Sequence, residues 1–289
     1  MTSQEDQLHR FLLEQAGARG TLVRLDGTWH AVLKRHDYPS GVRSQLGQAL
    51  AAAALLSATI KFEGSLILQA QTTGPLRLLV AQTTHNRTLR GLARWDSEVP
   101  EGDLRQVFGS GVLGITIDIP GGERYQGLVP LEGTDLAEAI AAYFARSEQL
   151  DTRLWLWADE HRAAGLLIQR LPEAGRRDNW EGITAGLASV PEADLVSLPP
   201  ELLLPRIWGD QPIRLFDPEN VSFRCGCSRE RIESTLRALG RQEVMEILEE
   251  QGAIGADCEF CNRHYHLDRV DAERIFVETT RVQANETRH

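Results

Sequence analysis

Apolar positions along residues 1–171 recur first at helical and then at strand spacing. Leu8, Phe11, Leu12 and Leu13 mark residues 7–16 as a short amphipathic segment, an arm or a first helix. Thr21–Leu25 has the composition of a strand, and Asp26-Gly27 behind it is a turn signal. Tyr38-Pro39-Ser40-Gly41 breaks the pattern ahead of the strongest helix, from about Val42 to Thr59. It carries Leu46, Ala49, Leu50, Ala53, Ala54, Leu55 and Leu56, and its second half is apolar on nearly every side, the mark of a helix buried all round.

Lys61-Phe62-Glu63-Gly64 ends that helix, and short strands follow. Residues 65–71 and 76–82 flank the hairpin-length loop Thr72-Thr73-Gly74-Pro75, with a third strand at 88–95. Leu113, Ile115, Ile117 and Ile119 alternate with Gly114, Thr116 and Asp118, and Pro120-Gly121-Gly122 turns this run into 124–129. Strands joined by such short loops pair antiparallel, because parallel partners need a long crossover. A helix capped by Thr134 and running to about Arg146 presents Leu136, Ile140, Tyr143 and Phe144 inward. Strands at 153–158 and 165–171 complete residues 1–171 as an N-terminal α+β domain built on antiparallel sheet.

Composition changes at Pro172: seven of the twelve prolines fall between 172 and 218. Residues 172–222 are nevertheless no solvated linker. Trp180, Ile183, Leu187 and Val190 fit one helical face, and Leu195, Leu198, Leu203, Leu204, Ile207 and Trp208 follow. This segment is apolar but too short to close a core of its own, so it must lean on its neighbours as a metastable part of the fold. Plain core packing accounts equally well for a Leu/Trp stripe.

All four cysteines lie in residues 223–289, as Cys225-Gly226-Cys227 and Cys258-Glu259-Phe260-Cys261, with thirty residues between the pairs. Paired spacing of this kind suits one tetrahedral zinc ion held by four thiolates, and a redox-active C-x-x-C is an alternative use of the second pair. Ser228 can cap a helix through Leu239, Arg241–Gln251 reads as a second helix stopped by Gly252, and Val270–Val282 as a last one. His264 and His266 flank Tyr265 just beyond Cys261, but four sulfurs already close a structural site.

Charge narrows the partners. The chain carries 41 acidic against 31 basic residues, a net charge of −10, which disfavours nucleic acid and anionic membrane. Met1–Asp6 lacks a basic n-region and the apolar run Ala49–Ile60 is too short to span a bilayer, so a cytoplasmic location is expected. That compartment keeps thiols reduced and favours metal over disulfide as the resting state. No phosphate-binding G-x-x-x-x-G-K-[ST] occurs, so nothing supports ATP use or an enzyme.

Several stretches together resemble the redox-regulated 33 kDa chaperonin (heat-shock protein 33) family: Leu46-Gly47-Gln48-Ala49-Leu50, Lys61-Phe62-Glu63-Gly64, Leu89-Arg90-Gly91-Leu92-Ala93, Tyr143-Phe144-Ala145-Arg146-Ser147-Glu148-Gln149-Leu150 and the four cysteines. The resemblance implies an ATP-independent holdase that is inactive while reduced and zinc-bound. Oxidation would then form Cys225–Cys227 and Cys258–Cys261 disulfides, release the zinc and unfold the C-terminal switch, protecting unfolding proteins under oxidative stress. It implies an N-terminal substrate-binding domain, unfolded proteins as clients and a homodimer in the oxidised state. The apolar yet proline-broken linker makes Trp180, Ile183, Leu187, Val190, Leu203 and Trp208 candidate client-binding residues. Two rival readings remain, a thiol–disulfide oxidoreductase using Cys258 and Cys261, and a zinc-stapled interaction module for RNA. The second predicts a basic face, which nine Arg against twelve Asp and Glu over residues 223–281 disfavour. Elemental analysis of the reduced protein is expected to give one zinc per chain; its absence would remove the basis of the metal reading.

Overall fold

The computed structural model describes residues 6–172 and 179–286. Its contacts divide the chain into two units, Met1–Arg224 and Cys225–His289. The first unit opens with β1 (Gln7–Leu13), β2 (Ala18–Leu25), α1 (Gly27–Leu33) and α2 (Ser40–Ser57). Next come β3 (Ser65–Thr72), β4 (Leu76–Thr84), β5 (Thr88–Trp95), α3 (Leu104–Phe108), β6 (Gly111–Asp118) and β7 (Tyr125–Pro130). α4 (Leu136–Tyr143), β8 (Thr152–Ala158) and β9 (Ala163–Arg170) follow, then α5 (Trp180–Ser189), α6 (Glu192–Ser197) and α7 (Pro200–Trp208). Three short strands, β10 (Ile213–Leu215), β11 (Glu219–Asn220) and β12 (Ser222–Phe223), end it.

Of residues 7–16, Gln7–Leu13 form a strand and Glu14–Ala16 a single 3-10 turn, rather than one helix. Their 8, 11, 12, 13 spacing imitates a helical stripe only because β1 is buried on both faces, Leu8 in one core and Phe11 and Leu13 in another. One sheet has the order β10-β1-β2-β9-β8 with β11 also on β1, and the second has the order β12-β5-β4-β3-β6-β7. The predicted antiparallel pairings hold throughout the meander, whereas β12 joins β5 in parallel, Phe223 opposite Leu89. α2 packs against both sheets, which explains its apolar circumference: Leu46, Ala49, Leu50, Ala53, Leu55 and Leu56 are all fully buried. Gly47 brings α2 against β8 so closely that a Cβ would sit 2.4 Å from the Ala158 Cβ.

Two local readings shift. The cap of α4 is Asp135, whose Oδ1 accepts the Glu138 amide at 2.9 Å, one residue beyond Thr134. A carboxylate there meets the positive end of the helix, which a hydroxyl does less well. α1 gives no local signal, because its first amides are satisfied from afar: Asp6 accepts from the backbone of Asp26, Gly27 and Thr28.

The proline-rich segment lies on the outer face of the first sheet. Ile183, Leu187, Leu195, Leu203, Leu204, Ile207 and Trp208 share a core with Phe11, Leu13, Leu22, Leu166 and Ile168. Alternation along β9 separates the two cores, Leu167 facing α2 while Leu166 and Ile168 face the segment. Three carbonyls of the segment, those of Leu195, Val196 and Leu198, accept from Arg24 and Arg162. No helix among the described residues is long and apolar enough to cross a membrane.

The second unit contains α8 (Arg229–Leu239), α9 (Arg241–Gln251), a hairpin of β13 (Ile254–Asp257) with β14 (His264–Leu267), and α10 (Arg269–Glu286). All three expected helices and the Ser228 cap are present, the Ser228 Oγ accepting the Arg231 amide at 3.3 Å. Leu50→Ala, at the centre of α2, is expected to cost about 2–5 kcal/mol. A urea titration checks it: the midpoint should fall with an unchanged slope, and a loss below ~1 kcal/mol would contradict the all-round burial of α2.

Candidate metal centre

Each cysteine pair is placed by ordinary local structure. Cys225-Gly226-Cys227 immediately precedes the Ser228 cap of α8, so the start of the helix fixes the direction of the first pair. Cys258 and Cys261 occupy the turn between β13 and β14. There the amides of Cys261 and Asn262 both donate to the Cys258 carbonyl, at 3.1 and 2.7 Å, and the Cys258 amide donates to the Arg263 carbonyl at 3.0 Å. Asn262 takes the left-handed conformation, φ 54°, which Asn tolerates better than most residues. This hairpin escapes the sequence pattern because each strand is four residues long. Its only trace is the period of two in Tyr265 and Leu267, which are buried beneath it.

The four sulfurs lie within 4.8 Å of one another. The Cys225–Cys258 distance is 3.6 Å and the Cys227–Cys261 distance is 3.4 Å, so the close contacts cross from one pair to the other. Sulfurs bound about 2.3 Å from a central ion stand about 3.8 Å apart at the corners of a tetrahedron. The donor set is therefore four cysteine sulfurs close to the spacing a tetrahedral ion requires. All four cysteines are partly buried, and Cys227 and Cys258 pack against a small core that contains Leu236, Val244, Leu248, Ile254 and Leu267. His264 stays outside the cluster, its Nδ1 2.8 Å from Asp257 Oδ1, and neither it nor His266 joins the four sulfurs.

Sequence reading overlooks Tyr265, whose hydroxyl donates to Cys227 Sγ at 3.1 Å. Burial by itself raises the Cys227 pKa, but the hydrogen bonds from Tyr265 and from the neighbouring thiols outweigh it and bring the group down to about 7. Cys261 moves the opposite way, pushed up to about 12 by burial and by its sulfur neighbours. The two directions have one cause. Without metal, the cluster gives up its first proton at Cys227, and the remaining S–H groups donate to that thiolate.

The linker positions singled out from sequence are assembled separately, in the first unit. Ile183 and Leu203 are fully buried, Leu187 and Trp208 nearly so, and Trp180 and Val190 are partly buried at the margin. The Trp208 indole donates to the Ile183 carbonyl at 3.0 Å and its ring stands 5.5 Å from Phe11, tying α7 to α5 and to β1.

A family model described as Hsp33 protein matches residues 6–268. The 33 kDa chaperonin of Nitrosococcus oceani is 59% identical over 285 residues, covering 98% of this chain and 99% of its own length. That of Methylobacillus flagellatus is 42% identical over 289 residues, with 98% and 99% covered. The crystal structure of the 33 kDa chaperonin (heat shock protein 33 homolog) from Thermotoga maritima shares the fold at a TM-score of 0.82 and 24% identity, over 95% of this chain and 99% of that one. The class is thus a two-sheet α+β protein followed by a four-cysteine unit able to hold a metal ion. Within it, the chain belongs to the Hsp33 chaperone family.

In metal-free, reduced protein the Cys227 thiolate should form as pH rises through about 7. Tyr265→Phe removes a donor to the thiolate and should raise that midpoint, slowing alkylation of Cys227 at neutral pH several-fold. Peptide-resolved alkylation across a pH series checks this; an unchanged midpoint would show that the hydroxyl does not tune the sulfur.

Proposed function

We propose that the protein is an ATP-independent holdase, silent while its four thiols are reduced and hold one zinc ion, and switched on when they are oxidised. The observation that carries this reading is the meeting of two cysteine pairs, separated by thirty residues, within one sulfur cluster. Bound zinc supplies a clasp between the two pairs, worth roughly 10–16 kcal/mol in small zinc domains. Everything else follows from the chain's own groups.

Oxidation takes two electrons from the two thiolates of each pair and forms one S–S bond, while peroxide takes up those electrons and two protons from solvent to give two waters; the four sulfurs would then no longer hold the zinc. We assign the product disulfides to Cys225–Cys227 and Cys258–Cys261. Such bonds close rings of a few residues and leave residue 227 unconnected to residue 258, so they replace little of the lost restraint. The core of the second unit is small, and without its clasp it should unfold. Cross-pair bonds at the 3.4 and 3.6 Å contacts would have the reverse effect, since each would close a loop of more than thirty residues.

The client surface in this reading is the linker, including Trp180, Ile183, Leu187, Val190, Leu203 and Trp208, with the face of the first sheet that it covers. Undocking α5–α7 would expose the Phe11, Leu22, Leu166 and Ile168 side chains together with the segment's own leucines. A contiguous apolar patch of this kind is what an unfolding protein adheres to. The same reading includes a homodimer in the oxidised state, unfolded proteins as partners, and action in the cytoplasm without turnover of a substrate.

Two measurements test it. Suppression of aggregation of a thermally unfolding protein should appear only after peroxide treatment, and equal suppression in both states would refute redox control. Peptide mapping of the active form should find 225–227 and 258–261; bonds between the pairs, or catalytic turnover of disulfides by Cys258 and Cys261, would favour a different activity.

A further inference from the structure

The turn Tyr143–Gln149 is dense in aromatic and charged residues yet has no part in the redox reading. α4 ends at Tyr143 and winds into one π-helical turn, Phe144–Glu148, closed by Gln149 at φ 55°. Both features are disfavoured in a chain free to relax, and both recur where a side chain must be aimed at a ligand. Here they wall a cavity of about 490 Å³ between the two sheets, at the end of α2. That volume lies within the usual range for small-molecule sites.

The cavity is apolar within and cationic on one side. Ile60, Ile115, Ile117, Phe144 and Leu150 supply the apolar wall. Arg19 and the exposed Lys61 line it as well. The one carboxylate, Glu148, is already engaged, its Oε1 accepting from the Tyr125 and Tyr143 hydroxyls at 3.1 and 3.0 Å. Arg19 is aimed by a buried network: Nε and Nη2 donate to Gln169 Oε1 at 3.0 and 2.5 Å, and Gln169 donates to Thr152 Oγ1 at 2.9 Å. Nη2 also reaches the Thr59 carbonyl at 3.3 Å, while Nη1 has no protein partner among the described residues. Burial lowers the Arg19 pKa, as expected of a guanidinium short of water and of counter-charge.

We propose that this cavity binds a linear-chain carboxylate, with the chain against Ile115, Ile117 and Phe144 and the carboxylate at Arg19 Nη1 and Lys61. Two cations facing an apolar wall select a singly charged amphiphile over a neutral or cationic one. The proposal is independent of the redox reading, since every group involved belongs to the first unit and none is a cysteine.

Calorimetric titration of the reduced, zinc-loaded full chain with sodium dodecanoate, held below its critical micelle concentration, tests this. Saturable binding of one molecule per chain is expected. Ile117→Trp, which fills the cavity, should abolish it. Arg19→Leu should weaken it about tenfold, the effect of losing one hydrogen bond to a charged group. Lys61→Gln, at an exposed position that does not threaten folding, should weaken it about threefold. Thermal melting confirms that each variant is folded. Unsaturable heats, a folded Ile117→Trp with unchanged affinity, or dodecyltrimethylammonium binding as tightly as dodecanoate would each overturn the assignment.

Discussion

The second unit depends on a restraint that its apolar residues cannot provide. It spans 65 residues, Cys225–His289, and among the described residues its buried cluster holds eight side chains, from Leu236 to Ile275. A core that small seldom outweighs the conformational entropy of the chain it orders. A metal ion held by the four sulfurs, as proposed above, would add what is missing by joining the start of α8 to the β13–β14 turn, two points far apart in sequence. Local chemistry has already prepared both ends, through the Ser228 cap on one side and the amides donating to Cys258 on the other. Only the connection between them is left to the four thiols.

In the first unit the opposite economy holds. α2 is enclosed by two sheets and needs nothing further, while the first sheet is buried on both faces by different partners. Its inner face meets α2, a contact between elements folded around one helix. Its outer face meets α5–α7, a proline-broken run of three short helices whose carbonyls accept from Arg24 and Arg162. Apolar area holds this segment in place, and the same area lies exposed on both partners when they separate. The amphipathic stripe visible in sequence as Trp180, Ile183, Leu187 and Val190 serves as ordinary core packing in the docked state. The client surface proposed for it would draw on the same physical property in a different setting.

Helical and strand periods were legible wherever one element faced one environment. The β6 alternation and the apolar circumference of α2 are of this kind, and so are the boundaries set by Ser228 and Gly252. Reading failed where two environments met on one element or where a cap came from a distance. β1 looked helical because its two faces enter different cores, and α1 was silent because Asp6 caps it across β2. The β13–β14 hairpin was too short to show a period.

The sequence by itself determined that α2 is buried, that antiparallel strands follow it, and that two cysteine pairs stand ready to converge. Those features depend on residues within a few positions of one another, where spacing is information. Tertiary structure alone decided that the sheets are two, that the proline-rich segment covers the outer face of the first, that Tyr265 touches Cys227, and that Arg19 lines one cavity with Ile117 and Phe144. Each of these brings together side chains tens of residues apart, and no local periodicity records which distant partner the closing of a core will select.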